Sequence, residues 1–303
     1  MFSRLLLNLG LVVLAIALVL VVVYRPGIEP EPVPQRIITT LAPDAVTSIT
    51  VTRDLRPPLT LTRKQDTWLV FTGDQEVPAA MFQVNALLRL LITRAANSYP
   101  LASLDPAVLG LEPAQATVTI DNIEIRFGGT EALENRRYVQ LGDTVYLIDD
   151  QYQHLVNADW ASFVSRKLIS RDDTITQLEL PGMSLSNDGD GHWQLEPEQA
   201  DVSADSLQTL IDNWQRAQAL NVRSYDGSVT RESVSVHTQN TSKPIELRVI
   251  SHTPDLVIAR PDWGIQYHLT AGLEDSLFTL PEPPEEKPDE QKTPATEGTE
   301  GTE

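Results

Sequence analysis

There is no cysteine anywhere in the chain. Disulfides are therefore excluded, and so is lipoprotein-type processing, which needs a cysteine after the leading apolar run; a zinc site would have no thiolate to complete it. Zero cysteines suit an oxidising compartment, although a cytosolic domain can lack them too. Basic residues are scarce, with 23 Lys+Arg against 42 Asp+Glu and a formal net charge of −19. Such a surface repels nucleic acid and anionic headgroups, and no basic stripe with interleaved aromatics offsets it, so no nucleic-acid partner is expected. Phosphate-cradling loops are missing as well. No Gly-Lys-Ser/Thr or Gly-x-Gly-x-x-Gly occurs, and Gly128-Gly129-Thr130 is too short for one.

What the chain does have is one long apolar run, Leu5 to Tyr24, uncharged and broken only by Asn8 and Gly10. Twenty residues at the helical rise make roughly 30 Å, the thickness of a bilayer's hydrocarbon core. The one small-x-small triplet, Ala15-Ile16-Ala17, is followed by Leu18 to Val23, all apolar, so cleavage there would split the run. The reading is a retained single-pass anchor in contact with the lipid bilayer. Arg4 and the amino terminus face Arg25 and Arg36 across it, a nearly tied count. With four residues ahead of the span, the large domain is expected outside, in the periplasm of a bacterial inner membrane.

Residues 25–36 are rich in alternating proline and favour extended polyproline II, a semi-rigid spacer. Residues 281–303 set eight acids against Lys287 and Lys292, with almost no apolar side chain to offset the entropy of ordering, and are expected to be disordered.

The middle of the chain repeats a pattern. Ile49–Thr52 and Leu59–Thr62 alternate as strands, Lys64-Gln65-Asp66 turns, and Trp68–Phe71 follows. Val77-Pro78-Ala79 then predicts a helix start with proline at the first helical position, and Met81, Val84, Leu88, Leu91 and Ala95 make one apolar stripe. Some 125 residues on, Thr176–Leu180 and Met183–Ser186 precede Asp188-Gly189-Asp190-Gly191, Trp193-Gln194-Leu195 and a helix. That helix is capped by Ser203, with Leu207, Leu210, Ile211, Trp214 and Ala217 on one face. Ser98-Tyr99 and Ser224-Tyr225 close the two segments. Each is followed by strands, at 116–120, 123–127, 137–141 and 144–148, then at 233–238, 245–250, 256–259 and 265–269. Turns are expected at Asp121-Asn122, Gly128-Gly129 and Gly142-Asp143, and Tyr146 and Tyr267 hold similar places. Between the copies, Ala158 to Leu168 reads as a short connecting helix. Leu104 to Pro113 reads as a brief helical turn stopped by Gly110.

The fold class expected is α+β: an N-terminal transmembrane helix (1–24), a linker (25–36), two repeated subdomains (37–157 and 172–280) joined by the connecting helix (158–171), and the acidic tail (281–303). Each subdomain should be an antiparallel-rich sheet with one main packed helix.

Four features resemble the bacterial family numbered 4340 among domains of unknown function: the front anchor, Thr67-Trp68 before the first helix, Leu109-Gly110-Leu111-Glu112-Pro113, and the strand Val145-Tyr146-Leu147-Ile148-Asp149. The resemblance covers roughly Ile49 to Phe278 and is better in the first copy, since the second lacks a Gly-Leu-x-Pro element. It implies an anchored envelope protein. Some members are linked to ABC-type export systems, including gliding-motility auxiliary proteins, which implies a partner class but supplies no catalytic residues.

Candidate chemistry is thin. Asn187-Asp188-Gly189-Asp190-Gly191 suggests calcium, but an EF-hand loop needs Glu at its twelfth position, where Gln199 stands, so a turn is the better reading. His154, His192, His237, His252 and His268 fall in no zinc spacing, although His252 and His268 could meet across neighbouring strands. Gly182-Met183-Ser184-Leu185-Ser186 is one glycine short of a nucleophile elbow and reads as strand. The carboxylates are scattered, and no glycosidase-like pair stands out. Asn240-Thr241-Ser242 reads as a turn despite its sequon form. Trp68 and Trp193 either seat a helix on a sheet or line a ligand groove, and the helix after each favours seating. No catalytic, cofactor or metal residue is therefore assigned and no cofactor is expected. The function expected is a non-enzymatic extracytoplasmic accessory or scaffold beside an envelope or ABC-type transport partner. The alternatives are a ligand- or glycan-binding sensor using the cleft between the repeats and, further off, an undetected hydrolase.

Overall fold

The computed structural model describes residues 10–17, 19, 37–72, 75–228, 230 and 232–281. The linker reading (25–36) and nearly all of the acidic tail (282–303) lie outside these, as does much of the anchor. Residues 10–17 are helical, with Leu11, Val12, Val13, Leu14 and Ile16 each more than half exposed. Among the described residues no helix is long and apolar enough to cross a membrane.

The chain divides into two compact units, residues 1–165 and 166–303. The first is built on nine strands: β1 (Ser48–Arg53), β2 (Arg56–Lys64), β3 (Thr67–Thr72), β4 (Gln75–Pro78), β5 (Asn97–Pro100), β6 (Ala116–Ile120), β7 (Ile123–Thr130), β8 (Arg137–Leu141) and β9 (Thr144–Ile148). They form one antiparallel sheet in the order β4-β3-β2-β1-β6-β7-β8-β9-β5. The second unit has eight: β10 (Ile175–Leu180), β11 (Met183–Asn187), β12 (Trp193–Glu196), β13 (Asn221–Ser224), β14 (Ser233–Thr238), β15 (Ile245–Ser251), β16 (Leu256–Arg260) and β17 (Ile265–Leu269). Their order is β12-β11-β10-β14-β15-β16-β17-β13. With β4 set aside, both sheets thread the chain identically: an opening three-strand meander, an edge strand added at the far side, then a four-strand meander between them. The fold class is α+β with two antiparallel sheets.

Period-two alternation explains the strands. Ile49, Val51, Leu59, Leu61, Val118, Ile125 and Phe127 are fully buried, while the residues between them point away from that core. Two-residue loops set the register. Asp121-Asn122 joins Ile120 to its partner Ile123, and Asp121 takes the positive φ of 49° that such a turn requires. In the second unit Leu178, Leu185, Val234, Val236, Leu247, Ile258 and Tyr267 make the corresponding core. Tyr146 lies opposite Val139 and Ser98, and Tyr267 opposite Ile258 and Val222, so the two tyrosines occupy matching ladder places. Tyr267 is fully buried, and that burial lifts its phenol to about 12.

Each sheet carries a helix before its added edge strand. In the first unit this is α1 (Met81–Leu88), which tightens into a 3-10 turn over Arg89–Ile92. Val84, Leu87, Leu88, Leu90 and Leu91 are buried, but Met81 is 45% exposed, so the core stripe begins at Val84. Proline does not open α1. Pro78 ends the edge strand β4, where its missing N–H leaves no ladder bond unmade. In the second unit α2 (Ala204–Arg216) starts where Ser203 accepts the Ser206 N–H at 3.1 Å. Asp205 in its first turn and Arg216 in its last complement the helix dipole. Leu207, Leu210, Ile211 and Trp214 are its buried face.

Two further expectations need correction, and one helix was not expected. The expected connecting helix at Ala158–Leu168 is only a 3-10 turn, Trp160–Phe163, because Asp159 caps it and Val164 already returns to extended backbone. Gly128-Gly129 lies inside β7 at a register shift between Phe127 and Thr130 and is not a turn. A last helix, α3 (Leu273–Phe278), packs on α2, where sequence reading left a gap.

Candidate functional site

The outward face of the first sheet carries hydroxyls in register. Thr52 on β1, Thr117 on β6 and Arg126 on β7 are successive cross-strand partners, and Thr50, Thr119 and Glu124 make the next row. They face outward because Val51, Val118 and Ile125, their alternates, are buried. Arg126 Nε donates to Glu124 Oε1 at 2.7 Å across the surface. Above this floor stands a wall formed by Leu111, Glu112, Pro113 and Ala114, and together they enclose a shallow groove of about 590 Å³.

The wall is held by close backbone packing. The Leu109 and Leu111 N–H groups donate to Asp105 and Pro106 carbonyls, and Gly110 turns with φ of +67°. The Gly129 N–H then donates to Leu109 O at 2.8 Å. Gly128 permits that approach, since a Cβ there would lie 2.5 Å from Leu109 O. Beneath, Arg137 is 5% exposed and forms a two-pronged pair with Asp150, Nε to Oδ1 at 2.8 Å and Nη2 to Oδ2 at 2.9 Å. Its Nη1 donates to Gln115 Oε1 and to Gly128 O. The Leu109–Pro113 element thus has a physical role: it is the clasp that raises one wall of a hydroxyl-floored groove. Such a floor offers donors and acceptors to a polar, extended partner.

The second cluster of interest surrounds His252. Its Nε2 lies 2.7 Å from Glu232 Oε2, and its Nδ1 lies 2.8 Å from Glu274 Oε1 in a looser, poorly aligned ion pair. The hydrogen bond to Glu232 raises the imidazole's pKa above its ordinary value, with Glu274 adding to it against some desolvation. The two carboxylates sit on different ring nitrogens, so they do not converge on one ion. Among the described residues no cluster of His, Asp and Glu has metal-site geometry.

The histidines do not gather. His252 follows β15 and His268 lies on β17, with β16 between, so the two are not on neighbouring strands. His268 instead contacts Gln266 at 3.0 Å and is held below its usual pKa by burial and then by Arg223. His192 sits 3.3 Å from Asp188, His237 3.7 Å from Glu179, and His154 is exposed on a single helical turn, Gln153–Val156. Asn187–Gly191 is a turn. The Asn187 carboxamide accepts the Gly189 N–H, and Asp188 Oδ1 accepts those of Asp190 and His192. These bonds, the Asp190 N–H foremost, lower the Asp188 pKa without any ion. Gly182 sits in the two-residue turn between β10 and β11, at φ of +92°, and Ser184 and Ser186 continue as strand. Asn240 turns the chain while its Nδ2 donates to Asp172 O. Trp68 is 3% exposed, and Trp193 Nε1 donates to Gln208 on the following helix at 3.1 Å.

Sequence reading missed the groove floor, although the alternating threonines of Ser48–Arg53 and Ala116–Ile120 are its visible signal. It also missed Glu232 and Glu274 as neighbours of His252, which no local spacing betrays.

The model of the family described as Domain of unknown function (DUF4340) matches residues 68–232, so the match starts at Trp68 and takes in the clasp, the groove wall and most of the first half of the second unit. No curated protein and no solved structure matches the chain.

Proposed function

The chain belongs to the DUF4340 family, and on that footing we propose that it is a membrane-anchored, extracytoplasmic accessory protein that docks a polypeptide partner of the cell envelope, of ABC-type transporter class, without catalysing a reaction. The observation that carries this is the hydroxyl-floored groove of the first unit, whose wall is the Leu109–Pro113 clasp. It is shallow and built on a sheet, with Arg126 and Glu124 on its floor paired to each other, features that suit docking of an extended segment. The apolar run Leu5 to Tyr24 would hold the body to the bilayer. The nine-stranded sheet of the first unit would carry the groove.

The test is recovery of partners with the full-length chain from native membranes in mild detergent. The proposal predicts an envelope or transporter component in the eluate, and a sharp loss of it when Thr119→Lys fills the floor with a long charged side chain. Recovery of no such component, or recovery indifferent to the substitution, would overturn it.

A further inference from the structure

Trp68 and Trp193 lie at the starts of equivalent strands, second in β3 and first in β12, yet their surroundings differ. In the first unit β4 continues the sheet beyond β3, the Ala79 N–H closes on Trp68 O at 2.8 Å, and the indole is sealed. Among the described residues the second unit has no counterpart of β4. There β12 is the edge strand, and Trp193 is only half-buried.

The uncovered indole lies on a cavity of about 470 Å³, bounded by the start of β10, the Asn187–Gly191 turn and one side of α2. Its orientation is fixed. Trp193 Nε1 donates to Gln208 Oε1, and Gln208 Nε2 donates to Asp212 Oδ1 at 2.9 Å. Asp212 is in turn paired with Arg216 at 2.6 Å. The lining mixes planar polar side chains, Arg171, Asp173, Asn187 and Gln239, with threonines and the apolar Ile175 and Ile211. Asp212 is offset by Arg216, and the lining's other charges are one Arg171 and one Asp173, whose Oδ1 accepts from Asn240 Nδ2 at 3.2 Å, so neither sign is in excess. A half-buried indole beside amides, two carboxylates and a guanidinium, with apolar patches from Ile175 and Ile211, matches a ligand that has both a C–H face and several hydroxyls.

We propose that this cavity of the second unit binds a neutral saccharide, with a sugar ring carried on Trp193 and its hydroxyls met by the surrounding amide and charged side chains. The site shares no residue with the groove of the first unit, and its failure would leave the docking proposal intact.

The test uses the full chain in lipid nanodiscs, avoiding glycoside detergents, with 15N-labelled tryptophan. N,N′-Diacetylchitobiose and cellobiose are titrated to about 10 mM, in the range of weak specific binding. The Trp193 indole N–H signal, assigned by its disappearance in Trp193→Phe, should shift saturably with at least one of them. Arg171→Ala and Gln239→Ala, which leave the indole and its Gln208 bond in place, should weaken that binding at least fivefold with an unchanged urea midpoint. No shift with either disaccharide would overturn the proposal, as would a shift that both variants leave unaltered.

Discussion

A methyl group on Gly128 would sit 2.5 Å from Leu109 O and 3.0 Å from the Leu111 side chain, distances that force the clasp to move. Gly128→Ala is therefore expected to cost about 2 kcal/mol or more by urea unfolding. Gly129→Ala, with no neighbour closer than 3.5 Å, should be nearly neutral, so the pair separates close approach from glycine flexibility. Asp121 supplies a second residue-scale test. Its carboxylate accepts the Thr47 and Ser48 N–H groups, Ser48 at 2.8 Å, and both hydroxyls. Burial pushes its pKa up, but these bonds together outweigh that and leave it lowered. A lowered folded pKa means stability that is present above the unfolded value of about 3.9 and is lost as pH falls through the folded one. Asp121→Asn should thus cost about 1 kcal/mol at neutral pH, and the difference from wild type should vanish in acid. The Asp121-Asn122 turn was legible because its residues announce it. The crowding at Gly128 was not, because it depends on Leu109, nineteen residues away.

Among the elements, α3 illustrates what periodicity cannot show. Its six residues are too few to display a stripe, and it is held by distant groups. Trp214 Nε1 donates to Leu277 O at 2.6 Å, Asn213 Nδ2 to Ser276 O at 2.9 Å, and Trp214 meets Phe278 edge-on at 5.8 Å. Trp214→Phe, which keeps a ring but loses the N–H, should cost about 1–2 kcal/mol and raise amide exchange in 273–278. His252, between Glu232 and Glu274, also ties α3 down. Its pKa is raised on folding, so its contribution is complete below the unfolded value near 6.5 and is lost as pH climbs through the folded value. The stability difference between wild type and His252→Gln, measured by urea unfolding, should accordingly be largest in mild acid and shrink toward pH 9. The short edge strands β4, β5 and β13 escaped notice for a related reason. Each has four residues, and tertiary pairing rather than local pattern makes them strands. The longer meander strands, by contrast, were visible as alternation.

For the whole molecule, the repeated order of strand, turn, tryptophan, helix and meander was readable because it rests on patterns local to each segment. The shared threading of the two sheets follows the same sequence of elements. What sequence could not reveal is where the copies diverge: the added β4 and the Leu109–Pro113 clasp give the first unit a sealed tryptophan and a walled groove. The central claim is that this groove holds an envelope polypeptide. The most direct measurement places a photo-crosslinking amino acid at Thr117, on the groove floor, in the full-length chain within its native membranes. The account predicts a single major adduct with an envelope or transporter protein, absent when the same group replaces Leu133 on the exposed loop between β7 and β8. Lack of any protein adduct at Thr117, or the same adducts from both positions, would contradict it.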